Sequence, residues 1–406
     1  MKLIFQDEEF SFQLLRAIGY SYYGGSDIGE CLSTAYRIKE GDFESWYEEW
    51  LTTADRVKSY ADNSLSKGHK ISAREAYLRS SNYYRTAEFF LHINPADKRI
   101  ITTWNNSREC FVKAMNLSDL NFQSIEIPYE NNLTLPGYFY KVNNNDSKDI
   151  SSSKPTLILF TGFDGTQEEL YATSVISALQ RGYNCLTFEG PGQGRVITEQ
   201  HIPFRHDWEK AVIPVVDFAV NNLEGINPNQ LALMGISMGG YLAARAVAFE
   251  HRIAACILND GVFDLYETFK THFSDVLLKA INNNNQELVN TVIEIFMTFS
   301  TTAKWAFSHG MWTFGVNTHF EYIKNNIDYS LKDIIQNIKC PTLVLEAEDD
   351  QFFKGQPKKV YDGLTCTKEH ILFKNNEGAG DHCQVAALSL SNQRIFDWLD
   401  EIFQNL

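Results

Sequence analysis

The sequence predicts an α/β fold, in which a mostly parallel β-sheet is covered by helices on both faces. Two observations lead to this prediction. From residue 156 onward, short apolar runs alternate with helical patterns, and before about residue 120 the patterns are helical without a convincing strand. Alternating strands and helices typically form a buried parallel sheet. The first segment is therefore expected to be a separate helical unit.

The length of the chain indicates two or three structural units. Its 406 residues exceed one compact domain of ordinary size, and the composition, with 44% hydrophobic and 21% charged residues, is that of a folded globular protein. We divide the chain into a helical N-terminal domain, the first part of an α/β core, a helical insertion and the second part of the core. These segments span residues 1–121, 122–262, 263–335 and 336–406.

The N-terminal segment is rich in aromatic residues at helical spacing. The runs at 43–57 and 72–92 are predicted to be helices, and the second has apolar side chains on more than one face. Ser72, followed by Glu75 three residues later, is the pattern of a capping box. We therefore expect the second helix to begin at Ser72 and to be packed on several sides.

Beyond residue 121, strands and helices are predicted in turn. Residues 122–129 and 133–142 have the pattern of an antiparallel hairpin that turns at Asn131 and Asn132, and a polar loop is expected at 143–154. The core strands are predicted at 156–161, 184–188, 231–236, 254–258, 342–346 and 370–373. Helices are predicted at 168–180, 208–222 and 239–250.

The insertion at 263–335 is helical and aromatic, and it interrupts the alternation late in the sheet. An insertion at this place is where a lid over an active site is expected, and the same helices would also serve as a packing layer. His309 and His319 fall within it and are candidates to line a pocket.

Charge and cysteine usage exclude several classes of function. Acidic residues outnumber basic ones by 51 to 36, which gives a net charge of -15 and disfavours nucleic acid and anionic lipid as partners. No stretch reaches the roughly 18 apolar residues of a membrane helix, so a cytoplasmic protein is expected. The seven cysteines are scattered without a Cys-x-x-Cys pair, which is typical of reduced thiols. We expect neither a metal nor a cofactor.

One sequence motif indicates a nucleophilic reaction. Gly235-Ile236-Ser237-Met238-Gly239 stands directly after an apolar strand and directly before a helix. Glycines flank the serine of such a turn because it is too sharp for side chains, and the hydroxyl is exposed at the carboxyl edge of the sheet. This context predicts an α/β-hydrolase fold with Ser237 as the nucleophile. The backbone N–H groups of Met238 and of Phe163, which follows the strand at 156–161, are the predicted oxyanion donors.

A serine nucleophile needs a histidine base held by a carboxylate, in the chain order Ser, Asp or Glu, His. His382 lies in a small-residue loop between the last strand and the last helix, where the base is expected. The carboxylate should follow the strand at 342–346. We prefer Asp350, because these hydrolases typically have Gly-x-x-Asp at this turn and Ala347 occupies the glycine position; Asp349 is the alternative.

Four stretches together resemble one particular α/β-hydrolase family. They are TGFDGTQEE at 161–169, EGPGQG at 189–194, GISMGG at 235–240 and GAGDHCQ at 378–384. This family contains dihydropseudooxynicotine hydrolase, the fermentation-respiration-switch-like proteins and the polyketide-shortening hydrolases of fungal melanin and bacterial anthraquinone pathways. The resemblance covers most of the chain. Two positions depart from the family, because Phe163 stands where a second glycine is frequent and Glu189 stands where aspartate is common.

The resemblance implies hydrolysis of a C–C bond beside a ketone in secondary metabolism. Ser237 would attack a carbonyl, the departing carbon would leave as an enolate, and water would clear the acyl-enzyme. The implied substrate is a small aromatic or polyketide molecule, and a glutamate after the first core strand, either Glu168 or Glu169, would contact it. A homodimer is compatible with this resemblance.

Two other functions are consistent with the sequence. A carboxylesterase or thioesterase would use the same three residues on an ester. A non-catalytic binding or regulatory protein of the same fold belongs to a different class, and it is disfavoured because such a protein has no chemical need for Ser237, Asp350 and His382 together.

Overall fold

The computed structural model describes residues 1–142 and 153–405. Its centre is an eight-stranded sheet. The strands are β1 (Asn121–Pro128), β2 (Thr134–Lys141), β3 (Lys154–Phe160), β4 (Asn184–Phe188), β5 (Ile226–Ile236), β6 (Ala255–Asn259), β7 (Thr342–Ala347) and β8 (Lys368–Phe373). The predicted hairpin and all six predicted core strands are therefore present. Most of the polar loop predicted at 143–154 lies outside the described residues.

The strand order is β1-β2-β4-β3-β5-β6-β7-β8. The hairpin β1-β2 joins β4 through antiparallel pairing, and every pair from β4 to β8 is parallel. The prediction of a mostly parallel sheet is confirmed. Because β5, β6, β7 and β8 are neighbours that run in the same direction, the loops after them meet at one edge of the sheet.

Helices surround this sheet. The N-terminal helices are α1 (Glu8–Gly19), α2 (Ile28–Ala35), α3 (Phe43–Ser66), α4 (Lys70–Glu88) and α5 (Lys98–Asn116). The core carries α6 (Ile176–Gln180), α7 (Gly194–Gln200), α8 (Glu209–Asn222), α9 (Gly239–Val247), α15 (Gln356–Gly363) and α16 (Leu388–Gln404). The insertion forms α10 (Leu265–Lys270), α11 (Asp275–Asn282), α12 (Gln286–Phe299), α13 (Thr301–Thr313) and α14 (His319–Asn325). Within 1–142 and 153–405, no helix is both long and apolar enough to cross a membrane.

The starts of the N-terminal helices follow local chemistry. Helices α1, α2, α3 and α5 each begin after an aspartate whose carboxylate accepts backbone N–H groups of the first turn. The capping box predicted at Ser72 is wrong, since α4 already begins at Lys70. Gly68 adopts φ +80° directly after α3, and the N–H of His69 donates to the carbonyl of Ser64. This tight turn starts the next helix earlier than the side-chain pattern indicates.

The two faces of the sheet carry separate hydrophobic cores. Since side chains alternate along a strand, Leu157 and Leu159 of β3 join one core, and Ile158 and Phe160 join the other. The first core also contains large side chains of the N-terminal helices, among them Phe10, Trp46, Trp50, Tyr83 and Phe90. The N-terminal helices are thus part of the same packed layer as one face of the sheet.

A buried ion cluster joins these helices to the loop after β3. Arg16 of α1 lies 2.6 Å from Asp164 and 3.0 Å from Glu169, and Arg85 of α4 lies 3.1 Å from Asp164 and 2.9 Å from Glu169. Tyr20 donates its hydroxyl to Glu169 at 2.9 Å. Burial raises the pKa of Asp164, but the two guanidinium groups lower it to well below its usual range. The loop is therefore held by paired charges.

Replacing Arg85 by methionine should destabilise the protein. Arg85 is 3% exposed, so its loss leaves two buried carboxylates with one cation between them. Removing one partner of a buried ion pair costs about 3–5 kcal/mol, which thermal unfolding would register as a clear drop in the transition temperature. Lys39→Met is the control, because Lys39 is 80% exposed and its pair with Asp42 contributes little. Equal transition temperatures for the two variants would contradict a holding role for the cluster.

Candidate active site

Ser237 lies in the turn between β5 and α9. Its φ of +62° is in the left-handed region, which residues other than glycine rarely adopt. The N–H of Ser237 donates to the carbonyl of Asn259 at the end of β6, and its carbonyl accepts the N–H of Gly240 at 2.8 Å. The strained turn thus holds the serine at the carboxyl edge of the sheet.

The glycines around Ser237 are required because the backbone is too closely packed there for a side chain. A Cβ at Gly235 would lie 1.9 Å from the carbonyl oxygen of Gly239, and a Cβ at Gly240 would lie 1.6 Å from the carbonyl oxygen of Asp260. A Cβ at Gly239 would lie 2.7 Å from the carbonyl oxygen of Thr161. Because each neighbour is backbone, none of these contacts can be relieved by a rotamer change. The turn is therefore pressed against the ends of both β3 and β6.

The structure brings Ser237, His382 and Asp350 together. His382, in the loop after β8, has Nε2 2.9 Å from the Ser237 Oγ and Nδ1 2.7 Å from the Asp350 Oδ2. Asp350 follows β7. The alternative acid, Asp349, is exposed and accepts a hydrogen bond from the side-chain amide of Asn375 at 2.6 Å. A base and an orienting carboxylate are thus aligned behind the serine hydroxyl.

The charges within this chain of contacts support each other. Burial raises the pKa of Asp350, but His382, a hydrogen bond from Asp260 and the backbone N–H of Phe353 lower it to well below its usual range. The N–H groups of Phe352 and Phe353 donate to its Oδ1 at 2.7 and 2.8 Å. Burial lowers the pKa of His382, but Asp350 raises it to well above its usual range. Asp350 is therefore ionised at neutral pH and favours a proton on Nδ1, which leaves Nε2 to face Ser237.

A second carboxyl group contacts His382. Asp260, which directly follows β6, has Oδ2 2.8 Å from the Nδ1 of His382. Asp260 is not among the residues predicted from the sequence. The signal in the sequence was an acidic residue at the carboxyl end of a predicted core strand, the same position that Asp350 occupies on the next strand of the sheet.

The loop after β3 lies against the serine turn. A Cβ at Gly162 would be 2.7 Å from the backbone nitrogen of Met238, so the two predicted oxyanion segments are in contact. The carbonyl of Phe163 accepts a hydrogen bond from His309 Nε2 at 2.9 Å, and the side-chain amide of Gln193 donates to the carbonyl of Gly162 at 3.1 Å. These bonds fix the loop, and the donor roles of Met238 and Phe163 stay predictions.

Glu168 and Glu169 are both buried with partners of their own. Glu169 is held by Arg16 and Arg85, and Glu168 accepts the hydroxyl of Tyr138 at 2.8 Å. Burial raises the pKa of Glu168. In the described parts of the chain, no hydrogen bond or ion pair joins either glutamate to the serine or the histidine of the site. Their contact with a substrate stays a prediction.

Aromatic side chains surround the histidine. The rings of Phe352 and Phe353 lie 4.9 and 5.6 Å from that of His382, and the ring of Phe12 in α1 lies 6.0 Å away. The N-terminal helices therefore contribute to the wall of the site, which the sequence analysis did not foresee.

The two histidines of the insertion have different surroundings. His309 of α13 stacks on His92 at 4.9 Å and lines a small cavity beside Phe163. Burial and the nearby His92 lower the pKa of His309 to about 3, so its imidazole is neutral. His319 of α14 packs edge-on against Phe307 at 5.6 Å. Of the two, His309 is the one that reaches the loop predicted to bind the oxyanion.

One group of metal-type ligands occurs within the described ranges. Atoms of Asp260, His382 and Cys383 lie within 4.8 Å of one another. Both ring nitrogens of His382 already have hydrogen-bond partners, and burial raises the pKa of the Cys383 thiol to about 12. A zinc ligand set needs a thiolate and a free imidazole nitrogen. The group therefore fits a hydrogen-bonded proton-transfer site better than a metal centre.

Comparison with known proteins identifies the family of the chain. A family model described as alpha/beta hydrolase fold matches residues 155–383. The chain is 35% identical over 415 residues to the 20-hydroxy-prefusarin hydrolase FUS2 of Gibberella moniliformis, covering 99% of this chain and 98% of that relative. It is 33% identical over 417 residues to the hydrolase acrC of Aspergillus aculeatus, covering 97% and 96%. The crystal structure of the 2,6-dihydroxy-pseudo-oxynicotine hydrolase is similar with a TM-score of 0.74, at 22% identity over 95% of both chains.

Replacing Gly240 by alanine should disrupt the serine turn. The new methyl group would overlap the carbonyl oxygen of Asp260, and backbone at this contact cannot move without displacing β6. Overpacking typically costs about 1–3 kcal/mol, and a contact with fixed backbone lies at the upper end of that range. We expect a lower transition temperature in thermal unfolding and loss of Ser237 reactivity toward a fluorophosphonate.

Gly29→Ala is the matched control for this substitution. Gly29 lies in α2, and a Cβ there would lie 3.2 Å from the carboxylate of Asp27, the end of a side chain rather than fixed backbone. Since alanine favours a helix over glycine by up to about 1 kcal/mol, this variant should be at least as stable as the wild type. Similar behaviour of the two alanine variants would contradict the packing argument.

Proposed function

The chain belongs to the α/β-hydrolase fold family, and on that premise we propose that it is a serine hydrolase that cleaves a C–C bond next to a ketone in a polyketide or related β-diketone. The observation that carries the proposal is the continuous hydrogen-bonded chain from Ser237 through His382 to Asp350. Ser237 lies in a strained turn that packs against the loop containing Phe163.

In the first half-reaction, Nε2 of His382 removes the proton of the Ser237 hydroxyl while the oxygen attacks the ketone carbon. The backbone N–H groups of Met238 and Phe163 stabilise the negative charge on the former carbonyl oxygen. Asp350 stays ionised and keeps the imidazolium oriented. The charge distribution around His382, with Asp350 ionised, supports this division of roles.

The C–C bond breaks when the tetrahedral intermediate collapses. Its electron pair passes to the departing carbon and spreads onto the neighbouring carbonyl as an enolate, which His382 protonates through Nε2. In the second half-reaction, His382 removes a proton from water, and the hydroxide attacks the acyl-Ser237 ester. The bond between the Ser237 Oγ and the acyl carbon then breaks, His382 returns its proton to Oγ, and a carboxylic acid leaves. A β-diketone is the required substrate type, because an isolated ketone offers no second carbonyl to accept the electron pair.

Two further observations support the substrate class. The relative FUS2, which aligns along nearly the whole chain, is described as a hydrolase of 20-hydroxy-prefusarin. The rings of Phe12, Phe352 and Phe353 around His382 provide flat apolar surfaces, which suit conjugated substrates by stacking and by burying their area.

The first test compares wild-type protein with Ser237→Ala on β-diketones, aromatic polyketide-like compounds and simple esters, with products identified by mass spectrometry. We expect the wild type alone to release a ketone-bearing fragment and a carboxylic acid from a β-diketone. Thermal unfolding of Ser237→Ala serves as the control for folding. Cleavage of esters only would replace the C–C proposal by an esterase, and activity that survives in Ser237→Ala would exclude the mechanism.

The pH dependence tests the role of His382. The neutral imidazole is the base, and Asp350 raises its pKa above the usual value of about 6.5. The reactivity of Ser237 should therefore still be rising with pH above neutrality, by about tenfold per unit below the midpoint. The measurement is the rate of fluorophosphonate labelling between about pH 5 and 9, with Ser237→Ala as the blank. A rate that is already constant from pH 6 upward would contradict the assignment.

A further inference from the structure

Four polar residues follow four neighbouring strands of the sheet. Ser237 follows β5, Asp260 follows β6, Asp350 follows β7 and His382 lies after β8. Neighbouring strands are about 4.8 Å apart, so the loop after β8 must fold back across β7 and β6 for its imidazole to reach the serine. The carboxyl groups at the ends of both intervening strands are therefore close to the ring.

Both carboxyl groups contact the same nitrogen. Nδ1 of His382 is 2.8 Å from Asp260 Oδ2 and 2.7 Å from Asp350 Oδ2, and both aspartates are buried. Nδ1 carries one hydrogen, and two ionised carboxylates this close would repel each other. One of the two must therefore hold a proton while the other accepts from the imidazole.

The surroundings decide which aspartate is ionised. Asp350 accepts two backbone N–H groups, whereas the Oδ1 of Asp260 has no hydrogen-bond partner among the residues that the structure describes. Burial and the charge of Asp350 raise the pKa of Asp260 to about 8, and hydrogen bonds from His382 oppose this only in part. The other titratable group at Asp260 is Cys383, whose Sγ lies 3.7 Å from Oδ2 and whose thiol is protonated. The resting arrangement is therefore a protonated Asp260 beside an ionised Asp350.

We propose that Asp260 is a second positioning acid for His382. Asp260 holds a proton while Asp350 is charged, and it ionises to orient the imidazole when Asp350 is neutral or replaced. The inference rests on the proposed function, because it takes His382 as the base of Ser237. It assigns the site two acids, one at the end of β6 and one at the end of β7.

The test is the rate at which a fluorophosphonate labels Ser237, which reports activation of the serine without requiring the natural substrate. The variants are Asp350→Asn, Asp260→Asn and the double variant, with His382→Ala as the reference without a base. Asp349→Asn is the matched control, because this neighbouring carboxylate is bonded to Asn375 and not to His382. Circular dichroism and thermal unfolding verify that each variant is folded.

The Asp350→Asn variant should be labelled about 10- to 100-fold more slowly than the wild type. This loss is far smaller than the roughly 10⁴-fold loss expected where no carboxylate orients the histidine. The double variant should show that larger loss. Asp260→Asn should be slowed less than Asp350→Asn, because Asp350 remains charged and the new amide still donates a hydrogen bond to it.

A pH profile separates positioning from a merely structural role. Loss of the His382 proton makes the rate rise with pH in every variant that keeps this base. In Asp350→Asn a further rise should accompany the ionisation of Asp260, which His382 and Cys383 face, and this further rise should be absent in the double variant. Asp350→Asn leaves Asp260 intact, so its profile is informative even if Asp260→Asn does not fold.

The outcomes separate this inference from the proposed function. An Asp350→Asn rate no higher than that of His382→Ala, with an active wild type, would overturn the role of Asp260 alone. A wild-type rate equal to that of His382→Ala would overturn the triad and the inference together. The expected labelling pattern without any C–C cleavage product would support the inference and reject the proposed substrate.

Discussion

The contact between the serine turn and the end of β6 is the constraint on which the rest of the site depends. Gly240 has no room for a Cβ because the carbonyl oxygen of Asp260 occupies that space, and the N–H of Ser237 is bonded to the carbonyl of Asn259. One short stretch of backbone therefore fixes both the nucleophile and Asp260. Any movement of β6 relative to β5 would displace the serine and the second carboxyl group together.

The N-terminal helices take part in the site through charge and packing rather than through a separate surface. Arg16 and Arg85 hold the loop that follows β3, and that loop carries Phe163 and touches Met238. The helix α1 also places Phe12 beside His382. These helices and one sheet face share a hydrophobic core, so the N-terminal helices form part of the wall around His382.

Much of the fold could be predicted because it depends on local patterns. The core strands are short apolar runs, and the motif around Ser237 has a steric cause that acts within a few residues. Asp260 was missed because its relevance depends on the spatial order of β5 to β8. The pairing of Arg16 and Arg85 with Glu169 joins residues far apart in sequence, which spacing does not reveal. The turn at Gly68 similarly overrode the capping pattern at Ser72.

A second buried acid beside His382 is costly unless its charge is removed. Asp260 is fully buried, and in the described chain its charged partner is His382. The same nitrogen of His382, Nδ1, also contacts Asp350. A proton on Asp260 removes most of the desolvation cost and turns repulsion between the two acids into attraction. The site then holds one negative charge against one imidazole, the balance that a serine, histidine and aspartate triad requires. The second carboxyl group can thus ionise when Asp350 is neutral or replaced, and while it is protonated it does not change the resting charge of the site.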